Sequence, residues 1–266
     1  HVDPAVLKRM GVLPADDEAE HRLADELRAV KRPLVANAID KGAETFARGK
    51  HIMVTSAEAG EGKTFAAMNL ALSLARETDF EVLLVDGDIA KSDITRILGL
   101  SGQPGLMDVL ADEQRVPAEV IVHSDVQNLL VVPAGERHPL AAELFRSRRM
   151  EYVLDEFGGR DRRRLMVFDS SPLLMTSESQ VLASHMGQVV VVVAADRTRR
   201  QCASAGLLGS NTRVGSTRGR GAGAAVRDRH SSAVSRSPRS PRCTAAPGPR
   251  AWLHRAEGGC GAPSRR

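Results

Sequence analysis

The chain has 266 residues, of which 42% are hydrophobic and 3% aromatic, and its formal net charge is +4. Residues 201–266 hold twelve Arg, no Lys and two acidic residues, which leaves residues 1–200 at about −6. The overall charge therefore does not indicate a nucleic-acid-binding protein. The longest apolar run, residues 189–195, is far shorter than the roughly 20 residues of a membrane-spanning helix. All three cysteines follow residue 201 without metal-site spacing, so neither a disulfide framework nor a zinc site is predicted.

Residues 1–50 are predicted to form peripheral helices. Leu23, Leu27 and Val30 recur there at helical spacing among charged residues. Pro33 is expected to end this first helix, because proline lacks a backbone N–H and is disfavoured inside helices. A second short helix is predicted over about residues 35–48, ending at Gly49.

Residues 51–198 alternate between strand-like and helix-like runs and are predicted to form one domain. Short aliphatic runs predict strands, and apolar residues at helical spacing predict helices between them. The predicted strands are residues 51–55, 82–85, 128–132, 165–168 and 188–193, and the predicted helices are residues 62–77, 141–157 and 177–185. Continuous aliphatic strands suit a sheet that is covered on both faces. The pattern therefore predicts an α/β fold with a doubly wound, mainly parallel sheet.

The periodic pattern ends after residue 200. Of the 66 residues that follow, 47 are Arg, Gly, Ser, Pro or Ala, and such a segment cannot bury enough apolar surface to offset its ordering entropy. Residues 199–266 are therefore predicted to be a disordered basic tail. The change is abrupt after about Thr198 and resembles out-of-frame reading of a GC-rich gene. A shifted reading frame is one hypothesis, and a natural basic tail is the other.

Residues 56–64, SAEAGEGKT, connect a predicted strand to a predicted helix. In this context a glycine-rich segment predicts a phosphate-binding loop, because its backbone N–H groups and the helix N-terminus favour a polyphosphate. Lys63 is expected to reach the β- and γ-phosphates of a nucleotide, and the Thr64 hydroxyl to ligate Mg²⁺. The usual pattern has glycine where this chain has Ala57. The residues predicted to bind the nucleotide are Ala59, Gly60, Glu61, Gly62, Lys63, Thr64 and Phe65.

Carboxylates directly follow two of the predicted strands. Asp86 and Asp88 follow residues 82–85, and Asp169 follows residues 165–168. Because the carboxyl ends of parallel strands meet at one edge of a sheet, all three acids are expected to face the phosphate-binding loop. One such carboxylate can hold Mg²⁺ through its water shell, and another can accept a proton from an incoming hydroxyl.

In these segments the chain resembles the bacterial P-loop tyrosine kinases. More narrowly, it resembles the tyrosine autokinases associated with exosortase and exopolysaccharide gene clusters. The resemblance covers roughly residues 3–198. It rests on LADELRAVKRPLVANA (residues 23–38), VTSAEAGEGKTFAAMNL (54–70), LLVDGDIAK (83–91), residues 105–110, LLVVPAGER (129–137) and VFDSSPLLMTSES (167–179).

The resemblance implies a P-loop NTPase fold and a kinase that uses ATP and Mg²⁺ to phosphorylate tyrosine on itself or on a neighbouring subunit. Such a kinase regulates exopolysaccharide biosynthesis and export. The resemblance assigns catalytic roles to Lys63, Asp86 and Asp88, and metal binding to Thr64, Asp86 and Asp169. It also implies a membrane-embedded polysaccharide co-polymerase, or chain-length activator, as a partner. The kinase would then be cytoplasmic and peripheral at the inner membrane through that partner.

Family members form rings through an acidic–basic helix motif, whose matching positions in this chain are Asp25, Arg28 and Lys31. The N-terminal helical segment is therefore expected to support a homo-oligomer. Two features depart from the family pattern. Residues 90–92, Ala-Lys-Ser, stand where the family often has Arg-Arg-Pro. A single tyrosine, Tyr152, stands in place of a tyrosine-rich tail.

Two other functions are considered for this sequence. The first is a partition or cell-division type of P-loop ATPase, which carries an additional Lys at the position of Glu58. An acidic side chain cannot neutralise phosphate charge, so this interpretation is disfavoured. The second is a non-catalytic interaction protein whose basic tail binds nucleic acid by charge. No specific nucleic-acid partner is expected under the kinase interpretation.

Overall fold

The computed structural model describes residues 6–7, 12, 17–39, 48–159, 164–173, 175–194 and 222–228. The helices are α1 (Asp17–Ile39), α2 (Lys63–Ala75), α3 (Asp93–Ile97), α4 (Leu106–Ala111), α5 (Ala141–Arg146), α6 (Arg148–Phe157) and α7 (Ser177–Ser184), with a 3₁₀ turn at Pro117–Val120. The strands are β1 (His51–Ser56), β2 (Glu81–Asp86), β3 (Val122–His123), β4 (Leu129–Val132), β5 (Arg164–Asp169), β6 (Gln188–Ala194) and β7 (Ala222–Asp228). Among the described residues, no helix combines the length and the apolar content that a membrane span requires.

The described strands form one sheet in the order β3-β4-β2-β5-β1-β6-β7. The five central strands are parallel, and β3 and β7 pair antiparallel at the two edges. Helices α4 to α7 pack on one face of the sheet, and helices α1 to α3 pack on the other. Since successive side chains of a strand point to opposite faces, central strands covered on both sides must be apolar throughout. The predicted doubly wound, mainly parallel α/β sheet is confirmed.

All five predicted strands are present, and their ends agree with the prediction to within one residue. The predicted helix over residues 141–157 is wrong in one respect, because it is divided into α5 and α6 at Ser147. The Ser147 side chain accepts a hydrogen bond from Met150 N and donates one to Leu144 O. It therefore ends one helix and caps the next, a role that helical spacing of apolar residues does not indicate. The short elements α3, α4 and β3 were not predicted.

The predicted interruption at Pro33 is also wrong, because α1 continues through it. Val30 and Leu34 are buried against the sheet. Lys31 Nζ lies 2.6 Å from a carboxylate oxygen of Glu77 and donates a hydrogen bond of 3.1 Å to a backbone oxygen of α2. These tertiary contacts outweigh the one helical hydrogen bond that proline removes. Most of the predicted second helix lies outside the described residues.

A buried glutamine fixes α1 to the sheet. Gln188, at the start of β6, is fully buried, and its Nε2 donates to the backbone oxygens of Leu34 and Gly49 at 3.0 and 2.5 Å. Its Oε1 accepts from Asn37 Nδ2 at 2.9 Å. All the hydrogen-bonding groups of this side chain are used in one place, so it sets where α1 can lie.

The prediction of a disordered tail is wrong for residues 222–228. These residues form β7, which pairs with the whole length of β6. An edge strand presents unpaired N–H and C=O groups, so a segment with weak strand preference can still add to it through the backbone. The rest of the tail lies outside the described residues, and the hypothesis of a shifted reading frame falls there as well.

Candidate functional site

The segment between β1 and α2 turns sharply to place a helix N-terminus at the carboxyl end of the sheet. Gly60 and Gly62 have φ values of 81° and 87°, a backbone region that favours glycine. Glu58 N donates to Glu61 Oε2 at 2.7 Å, and Ala194 N approaches Glu61 Oε1 at 3.4 Å. The carboxylate of Glu61 therefore bridges two positions within the loop and also links the loop to the end of β6.

Lys63 opens α2 with its side chain buried among carboxylates. Its Nζ lies 2.6 Å from Asp88 Oδ2 and 3.9 Å from Asp169 Oδ1. Burial alone would lower the pKa of Lys63, but the charge of Asp169 and the hydrogen bond to Asp88 outweigh it and hold that pKa above its ordinary value. The lysine is therefore a fixed positive charge beneath the loop.

Asp88 is the carboxylate that pairs with this lysine. Ser171 Oγ donates to Asp88 Oδ1 at 2.7 Å, and Lys91 N approaches the same oxygen at 3.3 Å. Burial would raise the pKa of Asp88, but the hydrogen bonds from Lys63 and Ser171 and the lysine charge together keep it below its ordinary value. Asp88 is therefore ionised while Lys63 remains beside it.

Asp86 and Asp169 are register partners on the neighbouring strands β2 and β5. Partners in a parallel pair project to the same face, so both carboxylates point towards the α2 side of the sheet. Asp86 Oδ2 accepts from Thr95 N and Thr95 Oγ1 at 2.8 and 2.7 Å. Asp169 Oδ2 accepts from Thr64 Oγ1 at 2.7 Å. The Oδ1 atoms of both aspartates are buried and have no hydrogen-bond partner within the described part of the chain.

Asp86 and Asp169 have raised pKa values, whereas the pKa of Asp88 is lowered. Burial raises the pKa of Asp86 to about 6, although the hydrogen bonds from Thr95 act in the opposite direction. Burial likewise raises the pKa of Asp169 to about 7, against the charge of Lys63. Three acids therefore share one lysine, and the site favours additional positive charge.

These atoms fit a magnesium ion held together with a nucleotide. No group of three or more His, Cys, Asp or Glu side chains that could hold a metal ion occurs among the described residues. Mg²⁺ in nucleotide sites usually takes one or two carboxylates, with phosphate oxygens and waters completing its shell. The Thr64 hydroxyl and the Oδ1 atoms of Asp86 and Asp169, which accept no hydrogen bond within the described part of the chain, provide ligand atoms of that kind.

The loop after Asp88 folds tightly without the Arg-Arg-Pro sequence that is common in the resembling family. Ser92 N donates to Asp88 O at 2.7 Å, and Ser92 has a φ of 49°. The guanidinium of Arg137 donates to the backbone oxygen of Ala90. A cation from after β4 therefore lies beside this loop.

The structure brings together five of the predicted site residues, namely Lys63, Thr64, Asp86, Asp88 and Asp169. Phe65 lies one residue further along α2 and is 44% exposed. Two hydroxyl residues that contact these carboxylates, Thr95 and Ser171, were not predicted. Ser171 lies within the quoted motif after β5, whereas nothing in the sequence around Thr95 indicates its contact with Asp86.

Residues 49–206 match a family model described as an AAA domain, AAA_31. The chain belongs to this AAA-domain family. Over 156 residues it is 30% identical to the tyrosine-protein kinase YwqD of Bacillus subtilis, which covers 58% of this chain and 64% of YwqD. Over 148 residues it is 31% identical to the putative tyrosine-protein kinase EpsB of Ralstonia nicotianae, which covers 55% of this chain and 19% of EpsB. The chain thus spans less than two thirds of the length of these relatives.

Solved kinase domains have the same fold. The VpsO kinase domain is 29% identical with a TM-score of 0.58, covering 72% of this chain and 90% of that domain. The kinase domain of the Escherichia coli tyrosine kinase ETK is 24% identical with a TM-score of 0.60, covering 70% of this chain and 69% of that one. The predicted resemblance to bacterial P-loop tyrosine kinases is confirmed. The family match extends eight residues beyond Thr198.

The buried carboxylates predict how stability depends on pH without nucleotide or metal. In the fold the pKa values of Asp86 and Asp169 lie near 6 and 7, above the ordinary 3.8, so folding binds protons and stability falls as pH rises from about 4 to 7. Asp169→Asn removes the larger contribution. Urea unfolding between pH 5 and 8 should show a shallower decline for this variant, by on the order of 1 kcal/mol per pH unit.

The exposed acid Glu119 provides the control, because Glu119→Gln removes a negative charge away from the site. Its slope should match that of the parent protein. Equal slopes for the parent and Asp169→Asn would contradict the assigned protonation.

Proposed function

We propose that this chain is an ATP-dependent protein-tyrosine kinase domain that acts in exopolysaccharide biosynthesis or export. The observation that carries the proposal is the convergence of Lys63, Thr64 and three buried aspartates at the loop between β1 and α2. The curated relatives named tyrosine-protein kinases support the choice of tyrosine as the acceptor.

The positions of the side chains suggest how they would act. Bound Mg²⁺ and ATP supply the phosphoryl group and neutralise its charge. Lys63 would leave Asp88 and bind phosphate oxygens as a point charge, while Thr64, Asp86 and Asp169 would hold the metal. Once Lys63 has left, Asp88 loses the hydrogen bond and the charge of the lysine, which are two of the interactions that keep its pKa low, while the hydrogen bond from Ser171 remains. Asp88 would then be a better acceptor for the proton of a tyrosine hydroxyl.

Tyr152 is the single tyrosine of the sequence and the one acceptor that the chain can offer. It lies on α6, is 46% exposed, and its ring is 4.9 Å from the guanidinium carbon of Arg149. Helix α6 leads towards the amino end of β5, whereas Asp169 stands at the carboxyl end. We expect transfer to Tyr152 to be slow and to occur between two copies of the chain.

A phosphotransfer assay tests the proposed function. The parent protein with Mg²⁺ and ATP should phosphorylate an added tyrosine-containing polymer, and Lys63→Ala should reduce that activity at least about a hundredfold because phosphate stabilisation is lost. Tyr152→Phe should abolish self-phosphorylation and leave transfer to the polymer unchanged.

Each result separates the kinase from its alternatives. ATP hydrolysis without tyrosine phosphorylation would favour a partition-type ATPase. Salt-sensitive nucleic-acid binding that is lost with residues 201–266, in a chain that does not bind ATP, would favour the non-catalytic interaction protein.

The proposed partner is a membrane-embedded polysaccharide co-polymerase that activates the kinase. This partner would hold the domain at the cytoplasmic side of the inner membrane. The support for this partner is that the relatives are named tyrosine-protein kinases.

Self-association is proposed to occur through the exposed face of α1. Asp25 and Arg28 form an ion pair of 3.1 Å with side chains 71% and 60% exposed. Lys31 already contacts Glu77 within the chain and is 15% exposed. Asp25 and Arg28 are therefore the members of the predicted motif that can reach a neighbouring copy.

Reversing the charge at Arg28 tests this interface. Arg28→Glu places like charges together between copies, which disfavours association. Light scattering at micromolar concentration should give a lower mass for Arg28→Glu than for the parent. Arg22→Glu is the matched control, because Arg22 is on the same helix and is also exposed and paired within it. Equal masses for Arg28→Glu and the parent would contradict the proposed interface.

A further inference from the structure

Thr95 connects Asp86 to a second part of the site. Its Oγ1 donates to Asp86 Oδ2 at 2.7 Å and accepts from Ala134 N at 2.9 Å. Its backbone N donates to the same Asp86 oxygen at 2.8 Å. A hydroxyl can donate one hydrogen bond and also accept through its lone pairs. The Thr95 hydroxyl uses its hydrogen for Asp86 and a lone pair for Ala134 N, so the two bonds are compatible. The rotamer of Thr95 is therefore fixed from both sides.

Both supports of Thr95 are rigid. Helix α3 is anchored by Ile94, which is fully buried. The segment after β4 is held by hydrogen bonds from Leu106 N to Pro133 O and from Met107 N to Ala134 O, at 2.8 and 2.9 Å. Thr95 thus joins the ends of β2 and β4 through atoms that have little freedom to move.

We infer that Thr95 is a positioning residue, which occupies Oδ2 of Asp86 and leaves Oδ1 as the one oxygen that can face a metal ion and phosphates. This inference rests on the proposed nucleotide site. Among the described residues Asp86 Oδ1 is buried without a hydrogen-bond partner, and the buried Oδ1 of Asp169 on the neighbouring strand, 3.9 Å from Lys63 Nζ, accepts no hydrogen bond either. Without the Thr95 hydroxyl the Asp86 carboxylate keeps only the bond from the Thr95 backbone N–H, so its orientation is held less firmly and its presentation to the metal is weakened.

The substitution Thr95→Val tests the hydroxyl while keeping the β-branched shape and the backbone N–H. Calorimetry would measure ATP binding with and without Mg²⁺. We expect Thr95→Val to bind metal-free ATP within about twofold of the parent and to lose about tenfold of the affinity that Mg²⁺ adds, as expected for one hydrogen bond to a charged group. Thr95→Ser, which retains the hydroxyl, should recover the parent value.

Amide hydrogen exchange gives a second readout that needs no ligand. The Ala134 N–H should exchange faster in Thr95→Val than in the parent or in Thr95→Ser, because its acceptor is missing. Thr78→Val is the control for the loss of a hydroxyl, since Thr78 is exposed and follows α2 at the other end of that helix. It should leave both readouts at the parent values.

Three results overturn the inference. Thr95→Val could keep the full effect of Mg²⁺, could weaken metal-free and Mg²⁺-dependent binding equally, or could fail to be rescued by Thr95→Ser. A chain that shows the expected difference in Mg²⁺-dependent binding but no phosphotransfer to tyrosine overturns the proposed function and supports the role of Thr95.

Discussion

Lys63 Nζ lies 2.6 Å from Asp88 and 3.9 Å from Asp169, at the edge of the sheet where the strand bearing Asp86 also ends. One buried cation therefore compensates three buried carboxylates. Such an arrangement stores unfavourable electrostatic energy, which is relieved when a metal ion enters and the lysine can turn to phosphate. Burial, with a smaller contribution from the neighbouring carboxylates, raises the pKa values of Asp86 and Asp169, so the site also favours proton uptake. The arrangement is thus better suited to binding a nucleotide than to stabilising the unliganded fold.

The fold imposes this crowding through strand register. Asp86 and Asp169 are direct partners on parallel strands, so their carboxylates must share one face and one edge. The loop before α2 places Lys63 and Thr64 at the same edge. The aliphatic core on both faces of the central strands keeps water away from these charged side chains. The effective dielectric constant is therefore low, and each charge interacts more strongly with its neighbours. Position in the sheet, rather than the composition of the loop alone, accounts for the perturbed protonation.

The strands and the phosphate-binding loop could be predicted because their signals are local, namely continuous aliphatic runs and a glycine-rich strand-to-helix connection. The three acids could be placed near the loop because strand ends converge. Ser147 and Thr95 could not be predicted in the same way, since the role of a small hydroxyl residue depends on neighbours that are distant in sequence. At Pro33 the local signal in the sequence was misleading. Proline indicates a helix end, but the packing of α1 on the sheet outweighed this preference. Strand β7 was missed because backbone pairing at an edge requires little from the side chains.

When the site is filled, Lys63 should move from Asp88 to the nucleotide. A crystal structure with Mg²⁺ and a non-hydrolysable ATP analogue would show where the lysine lies. We expect Lys63 Nζ in hydrogen-bond contact with a phosphate oxygen, its bond to Asp88 broken, and the metal beside Thr64. An analogue bound elsewhere, or a lysine still paired with Asp88 while the loop holds phosphate, would contradict this expectation.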